Sequence, residues 1–145
     1  MHAKNLICHL EKCSLDRAVE LAKQYKDKLW GFSVYDLLFT DGFNSIYQLK
    51  KYTKIFADLR LDSQDVDYIL QCAWAAGAEI VSIKTDSHKF SDNIAAYPEC
   101  RGSYPYLIQE IGNKKLLIKE NVQLEVVSLD GLNLYFPSVE SKIIV

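Results

Sequence analysis

The sequence predicts an α/β fold in which about four parallel strands are built from βα units and a short β-rich tail follows. Short apolar runs alternate with amphipathic stretches up to about residue 88, and this alternation is lost from about residue 89 onward. The spacing between runs leaves room for a crossover helix, which makes the strands parallel and the crossovers right-handed. We therefore expect a (βα) region at 1–88 and a tail of loops and strands at 89–145 that packs on it.

The composition is that of a globular protein. The 145 residues include 17 basic and 19 acidic side chains, a net charge of −2, and 49% of them are apolar. This charge balance argues against binding to nucleic acid or to anionic membranes, because such proteins carry a basic excess. Four cysteines are too few for a disulfide scaffold, and no apolar run has the length of a signal peptide or a membrane span. We expect a cytoplasmic protein.

The first region contains clear helix boundaries. Ser14 stands at the N-cap position of one helix, with Asp16 in the first turn. Asp62 or Ser63 caps a later helix, and Gly77 follows its last turn as a C′ glycine. The predicted strands lie at 5–10, 29–34, 55–61 and 79–83, and the predicted helical segments at 15–25, 43–50 and 64–76.

The tail has a different pattern. Its residues predict a short helix at 106–111, stopped by Gly112, and short strands at 116–118, 122–127 and 132–136. Asp130 and Gly131 form a dipeptide that is typical of a hairpin turn, and we expect it to join the last two strands.

Residues 55–63, IFADLRLDS, resemble the third-strand motif Asp-x-Lys-x-x-Asp of the orotidine 5′-phosphate decarboxylase family. LWGFSV at 29–34 with LLFTDG at 37–42 is similar to the second strand and the segment after it. AAGAEIVSI at 75–83 is similar to the entry to the fourth strand. The related sugar-phosphate decarboxylases and hexulose-phosphate synthases share these features. The resemblance covers about 4–86 and implies a partial (βα) barrel of about four units.

The resemblance also implies a site in which several functional residues are replaced. In the family an Asp of the third strand presses on the substrate carboxylate and a Lys protonates the carbanion-like centre. This chain keeps Asp58, has Arg60 in place of the Lys and Ser63 in place of the last Asp. His9 and Ser33 stand where the family has an Asp on the first strand and a Lys on the second, and the candidate substrate-binding residues are His9, Ser33 and Ser63. Arginine is a poor proton donor because its pKa is above about 12.

Two further points stay open at this stage. Asp58 and Arg60 lie two residues apart and share one strand face. They form either a charged pair that contacts the substrate or an ion pair in which each residue neutralises the other. Lys84 follows at the end of the fourth strand, either as a substitute for the lost acid or as a solvated strand end. Asp58, Arg60 and Lys84 are therefore the candidate catalytic residues.

Cys8, His9 and Cys13 are close together in the sequence, but they do not form a zinc motif. A zinc site needs a second pair of ligands at a distance, and neighbouring residues of a strand point to opposite faces. We interpret the cysteines as core residues and expect no metal and no cofactor.

The length of the chain limits the function. A complete (βα)8 barrel needs about 200 residues, and the phosphate site of such a barrel comes from the loops after its last two strands. An open half barrel exposes two strand edges, so we expect a homodimer. The resemblance implies a pyrimidine nucleotide or a sugar phosphate as ligand. Two functions remain: an impaired or inactive decarboxylase-like carbon–carbon lyase of the pyrimidine-biosynthesis type, and a non-enzymatic relic of the family that binds a nucleotide or a protein.

Overall fold

The computed structural model describes residues 5–61, 66–84, 94–99, 105–112 and 114–136. Within these residues the elements, in chain order, are β1 (Leu6–Leu10), α1 (Leu15–Tyr25), β2 (Gly31–Val34), α2 (Asp36–Asp41), α3 (Asn44–Leu49), β3 (Lys54–Leu61), α4 (Val66–Ala76), β4 (Ile80–Lys84), β5 (Ile94–Pro98), β6 (Tyr106–Ile111), β7 (Lys114–Lys119), β8 (Val122–Val127) and α5 (Leu129–Tyr135). None of the helices in this part of the chain is long and apolar enough to cross a membrane.

The strands form a closed barrel in the order β1 to β8. The first four strands are parallel, as the sequence predicts, whereas β5, β6, β7 and β8 each run antiparallel to the strand before. β8 then pairs in parallel with β1 and closes the barrel. The prediction of a partial barrel of four units is therefore wrong.

Closure follows from the backbone groups that a half barrel would leave exposed. β4 and β1 would each present a row of unpaired N–H and C=O groups, and pairing these rows with β5 and β8 satisfies them within the chain. Antiparallel neighbours need no crossover helix, so four short antiparallel strands close the barrel with fewer residues than four βα units would. The exposed edges that suggested a homodimer are absent from this barrel.

Two tail elements differ from their predictions. Residues 106–111 form β6 instead of a helix, and Gly112, with φ of +61°, lies in the tight connection between the paired residues Ile111 and Lys114. A six-residue helix gains little by itself, whereas this segment gains two strand partners. Residues 132–136 belong mainly to α5, not to a strand. Ser128 caps α5 by accepting a hydrogen bond from the N–H of Gly131, so the Asp-Gly pair lies in a helix turn and not in a hairpin.

The helix boundaries of the first region that fall on described residues are confirmed, whereas the predicted cap at Asp62 or Ser63 lies outside the described residues. The Ser14 hydroxyl accepts a hydrogen bond from the N–H of Arg17 at 3.1 Å and caps α1. Gly77 has φ of +118°, a conformation that side-chain-bearing residues rarely adopt, and it ends α4. The predicted helical segment at 43–50 contains α3.

The alternation of side chains across the strands creates two apolar cores. The outer core lies between the barrel and the helices, and the inner core fills the amino-terminal part of the barrel. The outer core includes Cys8, Leu10, Phe32, Val34, Ile55, Ala57, Val81 and Ile83 from the strands and Leu21, Leu37, Ile46, Leu49, Leu70 and Leu132 from the helices. The inner core consists of Ile7, Phe56, Ile80, Ala96, Ile108, Leu117 and Leu124.

Candidate functional site at the carboxyl end of the barrel

Polar side chains form a layer inside the barrel above the inner core. In β1, β3 and β4 the residue two positions after the inner-core residue is polar and points to the same interior face. The layer, which we call the polar layer, consists of His9, Ser33, Asp58, Ser82 and Lys115. Its members on the parallel strands lie towards the carboxyl ends, where barrels of this architecture bind their substrates.

Asp58 is the centre of the polar layer and is 6% exposed. The hydroxyl of Ser82 donates a hydrogen bond to Asp58 Oδ1 at 2.6 Å. The ammonium group of Lys115 donates to Asp58 Oδ2 at 2.8 Å and forms a salt bridge with it. Hydrogen bonds between ionised groups are stronger than neutral ones, especially where water has limited access. The carboxylate is therefore held in place from two sides.

Lys115 reaches Asp58 from the antiparallel half of the barrel. Asp58 lies on β3 and Lys115 at the start of β7, so the salt bridge joins two strands that are not neighbours. Leu117, two residues further along β7, belongs to the inner core, which places Lys115 on the interior face. The ion pair thus connects the two halves of the barrel through its interior.

His9 completes the layer beside Ser33. Its Nδ1 lies 2.7 Å from Ser33 Oγ, close enough for a hydrogen bond in either tautomer. Burial lowers the pKa of His9 below its ordinary value of 6.5, the Asp58 carboxylate opposes this shift, and the Lys115 ammonium group adds to it. The imidazole is consequently neutral at neutral pH and offers one nitrogen that can accept a proton.

A pocket of about 290 Å³ opens onto this layer. It is lined by His9, Tyr35, Asp58 and Leu59. The volume lies at the lower end of the range for small-molecule sites, which fits a single ring or a compact anion. Tyr35 is 43% exposed and makes an edge-to-face contact with Phe39, with ring centroids 5.1 Å apart. An aromatic wall therefore stands beside the charged groups.

The structure brings together three of the six candidate residues: His9, Ser33 and Asp58. Arg60 and Lys84 lie in β3 and β4, but their side chains are outside the described part of the structure. Ser63 lies outside the described residues altogether.

Lys115 is not among the residues predicted from the sequence. The strand predicted at 116–118 lies next to it, but no local pattern connects that strand to Asp58, which is 57 residues away from Lys115. The one available signal is the alternation of Lys115 with Leu117, which places a cation on an apolar strand face. The strand that lies opposite this face across the barrel depends on how the strands pair, and no local pattern specifies that pairing.

The cysteines nearest the site are protonated at neutral pH. Burial raises the pKa of Cys8 far above its ordinary value and also raises that of Cys13. Among the residues that the structure describes, no three His, Cys, Asp or Glu side chains are grouped so that they could hold a metal ion.

The fold and the polar layer define a class, the TIM-barrel-like α/β barrel with ionisable groups at the carboxyl ends of its parallel strands. Among solved structures, the chain is similar to orotidine 5′-monophosphate decarboxylase from Methanocaldococcus jannaschii, with 22% sequence identity and a TM-score of 0.49. It is also similar to orotidine 5′-phosphate decarboxylase from Pyrococcus horikoshii OT3, with 28% identity and a TM-score of 0.51. Both similarities cover 55% of this chain and 41% of the other. No protein-family model and no curated protein matches the chain.

Over 55% of its length the chain therefore has a partial orotidine 5′-phosphate decarboxylase-like fold, which confirms the resemblance seen in the sequence. The matched part spans less than half of the length of those decarboxylases.

Proposed function

We propose that the protein is an orotidine 5′-phosphate decarboxylase-like barrel that binds a small anionic ligand at the polar layer and whose decarboxylase chemistry is impaired or lost. One observation carries this proposal. The carboxylate that would press on a substrate carboxylate, Asp58, already has both oxygens engaged, by Ser82 and by Lys115. A carboxylate that is neutralised in this way repels a substrate anion less than an unpaired carboxylate does. The site therefore favours binding of an anion over destabilisation of the bound substrate.

Lys115 is the cation that supports ligand binding. Its side chain is 25% exposed and its ammonium group holds Asp58, which lines the pocket, so a phosphate or carboxylate group that enters the pocket can replace solvent around that ammonium group. A pyrimidine nucleotide and a sugar phosphate both carry such a group. The antiparallel strands β5–β8 replace the βα units whose loops hold phosphate in complete barrels, so in the part of the chain that the structure describes the polar layer supplies the polar contacts for such a ligand.

Residual turnover would depend on the same residue. In a decarboxylation the carbon–carbon bond breaks, carbon dioxide leaves, and the electron pair stays on the ring carbon, which then takes a proton. Arg60 donates protons poorly, whereas a lysine ammonium group can donate one and be reprotonated by water. Lys115 is therefore the residue that we assign to this step in any residual lyase reaction.

The second candidate function is a non-enzymatic relic of the family that binds a nucleotide or a protein. The partners that Asp58 has within the protein favour this second candidate, because the ion pair stabilises the barrel whether or not substrate binds. The two candidates differ in a single observable, the formation of product.

The test is decarboxylation of orotidine monophosphate with protein in excess over substrate, so that one slow turnover is detectable. Asp58→Asn and Lys115→Met are the test variants, and Lys114→Met is the matched control because Lys114 is an exposed neighbour on the same strand. Product that disappears in both test variants and persists in the control supports a surviving lyase.

Absence of product is resolved by a binding measurement. Uridine monophosphate is titrated while the imidazole signals are followed by ¹⁵N NMR, and His9→Gln assigns the signal of His9. A saturable shift without product supports the binding relic. No product and no shift at millimolar ligand contradicts the lyase and the nucleotide-binding relic, and it leaves the protein-binding relic.

The homodimer remains a proposal. The exposed strand edges that suggested it are absent, because the barrel closes within one chain. Light scattering at high micromolar concentration measures the mass directly, and a monomer there would end the proposal.

A further inference from the structure

A second pocket lies at the opposite, amino-terminal end of the barrel. We infer that this pocket, which we call the basic pocket, binds a small molecule that carries two or more phosphate groups. It has a volume of about 510 Å³. Its walls come from the segments that lead into β2, β3 and β4. Its lining residues are Lys26, Leu29, Trp30, Lys50, Lys51, Tyr52, Thr53, Lys54 and Glu79.

The loops that carry these lysines are held in close contact. Gly31 pairs with Lys54, and a Cβ on Gly31 would lie 2.2 Å from the carbonyl oxygen of Lys54, so the approach of the two segments requires glycine. The stem of Lys50 passes so close to Gly77 that a Cβ there would lie 2.0 Å from the Lys50 Cδ. The backbone of Lys54 and the stem of Lys50 are therefore packed closely against glycines.

The charges of the basic pocket are unbalanced. Four lysines and one glutamate line it, although the chain as a whole has more acidic than basic residues. Among the described residues, no carboxylate lies within 4.0 Å of the ammonium group of any of these four lysines. Like charges gathered in a concave site repel one another, and an anion that enters between them relieves the repulsion.

Aromatic rings hold the cations without neutralising them. The ammonium group of Lys54 lies 5.6 Å from the centroid of the Trp30 ring, and that of Lys51 lies 5.3 Å from the centroid of the Tyr47 ring. Cation–π contacts orient an ammonium group but leave its full charge available to an anion. The pocket thus combines a positive potential with side chains that are already oriented.

The ligand class follows from charge and size. Several ammonium groups around one cavity match several negative charges on one molecule, and lysine binds phosphate as a point charge without a required geometry. The cavity has the volume of an ordinary small-molecule site. A long nucleic acid fits less well, because it would extend from the pocket onto the surface of a chain with a net charge of −2.

The experiment measures binding of inorganic tripolyphosphate to the intact protein by calorimetry, with Trp30 fluorescence as a second signal. A ligand that draws the ammonium group of Lys54 away from the Trp30 ring changes that fluorescence, and Trp30→Phe removes the signal. Three variants of exposed residues are compared: Lys51→Gln in the pocket, Glu79→Gln in the pocket, and Lys114→Gln at the other end of the barrel. All three are surface changes that leave both cores intact.

We expect saturable binding that weakens about twofold to fivefold in Lys51→Gln, strengthens in Glu79→Gln and is unchanged in Lys114→Gln. No binding by the wild type at millimolar tripolyphosphate would overturn the inference. Equal weakening by Lys51→Gln and Lys114→Gln would overturn it as well, because it would show attraction to charge in general. Tighter binding of a poly(U) RNA than of tripolyphosphate would overturn the assignment to a small ligand. Because no variant touches the polar layer, these outcomes are independent of the proposed decarboxylase-like function.

Discussion

Replacement of Lys115 by methionine removes the cation from the Asp58 pair while keeping most of the side-chain volume. Breaking a fully buried ion pair costs about 3–5 kcal/mol, because the remaining charge is left without compensation. The side chain of Asp58 is only 7% exposed, but the carboxylate keeps the Ser82 hydrogen bond and faces an open pocket that admits water. We therefore expect a loss of about 2–3 kcal/mol in the free energy of unfolding.

The reciprocal change is expected to cost less. In Asp58→Asn the unpaired partner is Lys115, whose side chain is 25% exposed and long enough to turn its ammonium group into water. The expected loss is about 1 kcal/mol. The asymmetry between the two variants is the signature of a buried anion paired with a partly solvated cation.

Urea denaturation at neutral pH, followed by circular dichroism, measures both losses, and the double variant gives the coupling energy of the pair. Lys114→Met is the control for replacing a lysine at the start of β7. A loss in Lys115→Met no larger than that of the control, or a larger loss in Asp58→Asn than in Lys115→Met, would refute the prediction.

Three other predictions concern single positions. The pKa of His9 is lowered on folding, so the unfolded chain binds the proton at a higher pH than the folded chain does, and the free energy of unfolding should fall as the pH drops below about 6.5. The variant His9→Gln should lack this part of the pH dependence. The same pH slope in the variant and in the wild type would contradict the prediction. Gly31→Ala brings a Cβ to 2.2 Å from the Lys54 carbonyl oxygen and should lower the free energy of unfolding by about 1–3 kcal/mol, measured by urea denaturation. An unchanged free energy of unfolding would show that the two segments separate easily. Ser14→Ala removes the cap of α1 and should cost about 1 kcal/mol, whereas Ser14→Gly should cost only a few tenths; equal losses would count against capping.

The first half of the fold was predictable because its information is local. Each of β1 to β4 is a short apolar run, and Ser14 and Gly77 mark helix ends through bonds and torsions within a few residues of themselves. The resemblance at the third strand placed Asp58 on the interior face, where the structure also has it. These features need no knowledge of what lies across the barrel.

The tail was mispredicted where two local structures compete. The segment at 106–111 has apolar residues at a helical spacing, but the two-residue connection after Ile111 is also typical of a hairpin, and pairing with β5 and β7 decides in favour of a strand. The segment at 129–135 carries a hairpin dipeptide, yet Ser128 two residues before it caps a helix that packs in the outer core through Leu132. In both segments the environment selected one of two locally acceptable conformations.

The sequence by itself determined the class of fold, the parallel strands with their helices, and the residues His9, Ser33 and Asp58 at the carboxyl ends of those strands. Only the tertiary structure decided that the tail closes the barrel, that Lys115 neutralises Asp58 across its interior, and that lysines from separate loops meet at the amino end. The physical reason is the range of the interactions. Caps, turns and side-chain alternation act over a few residues, whereas barrel closure and the ion pair join segments that are tens of residues apart. The pairing of those distant strands depends on forming the backbone hydrogen bonds of the whole barrel at once.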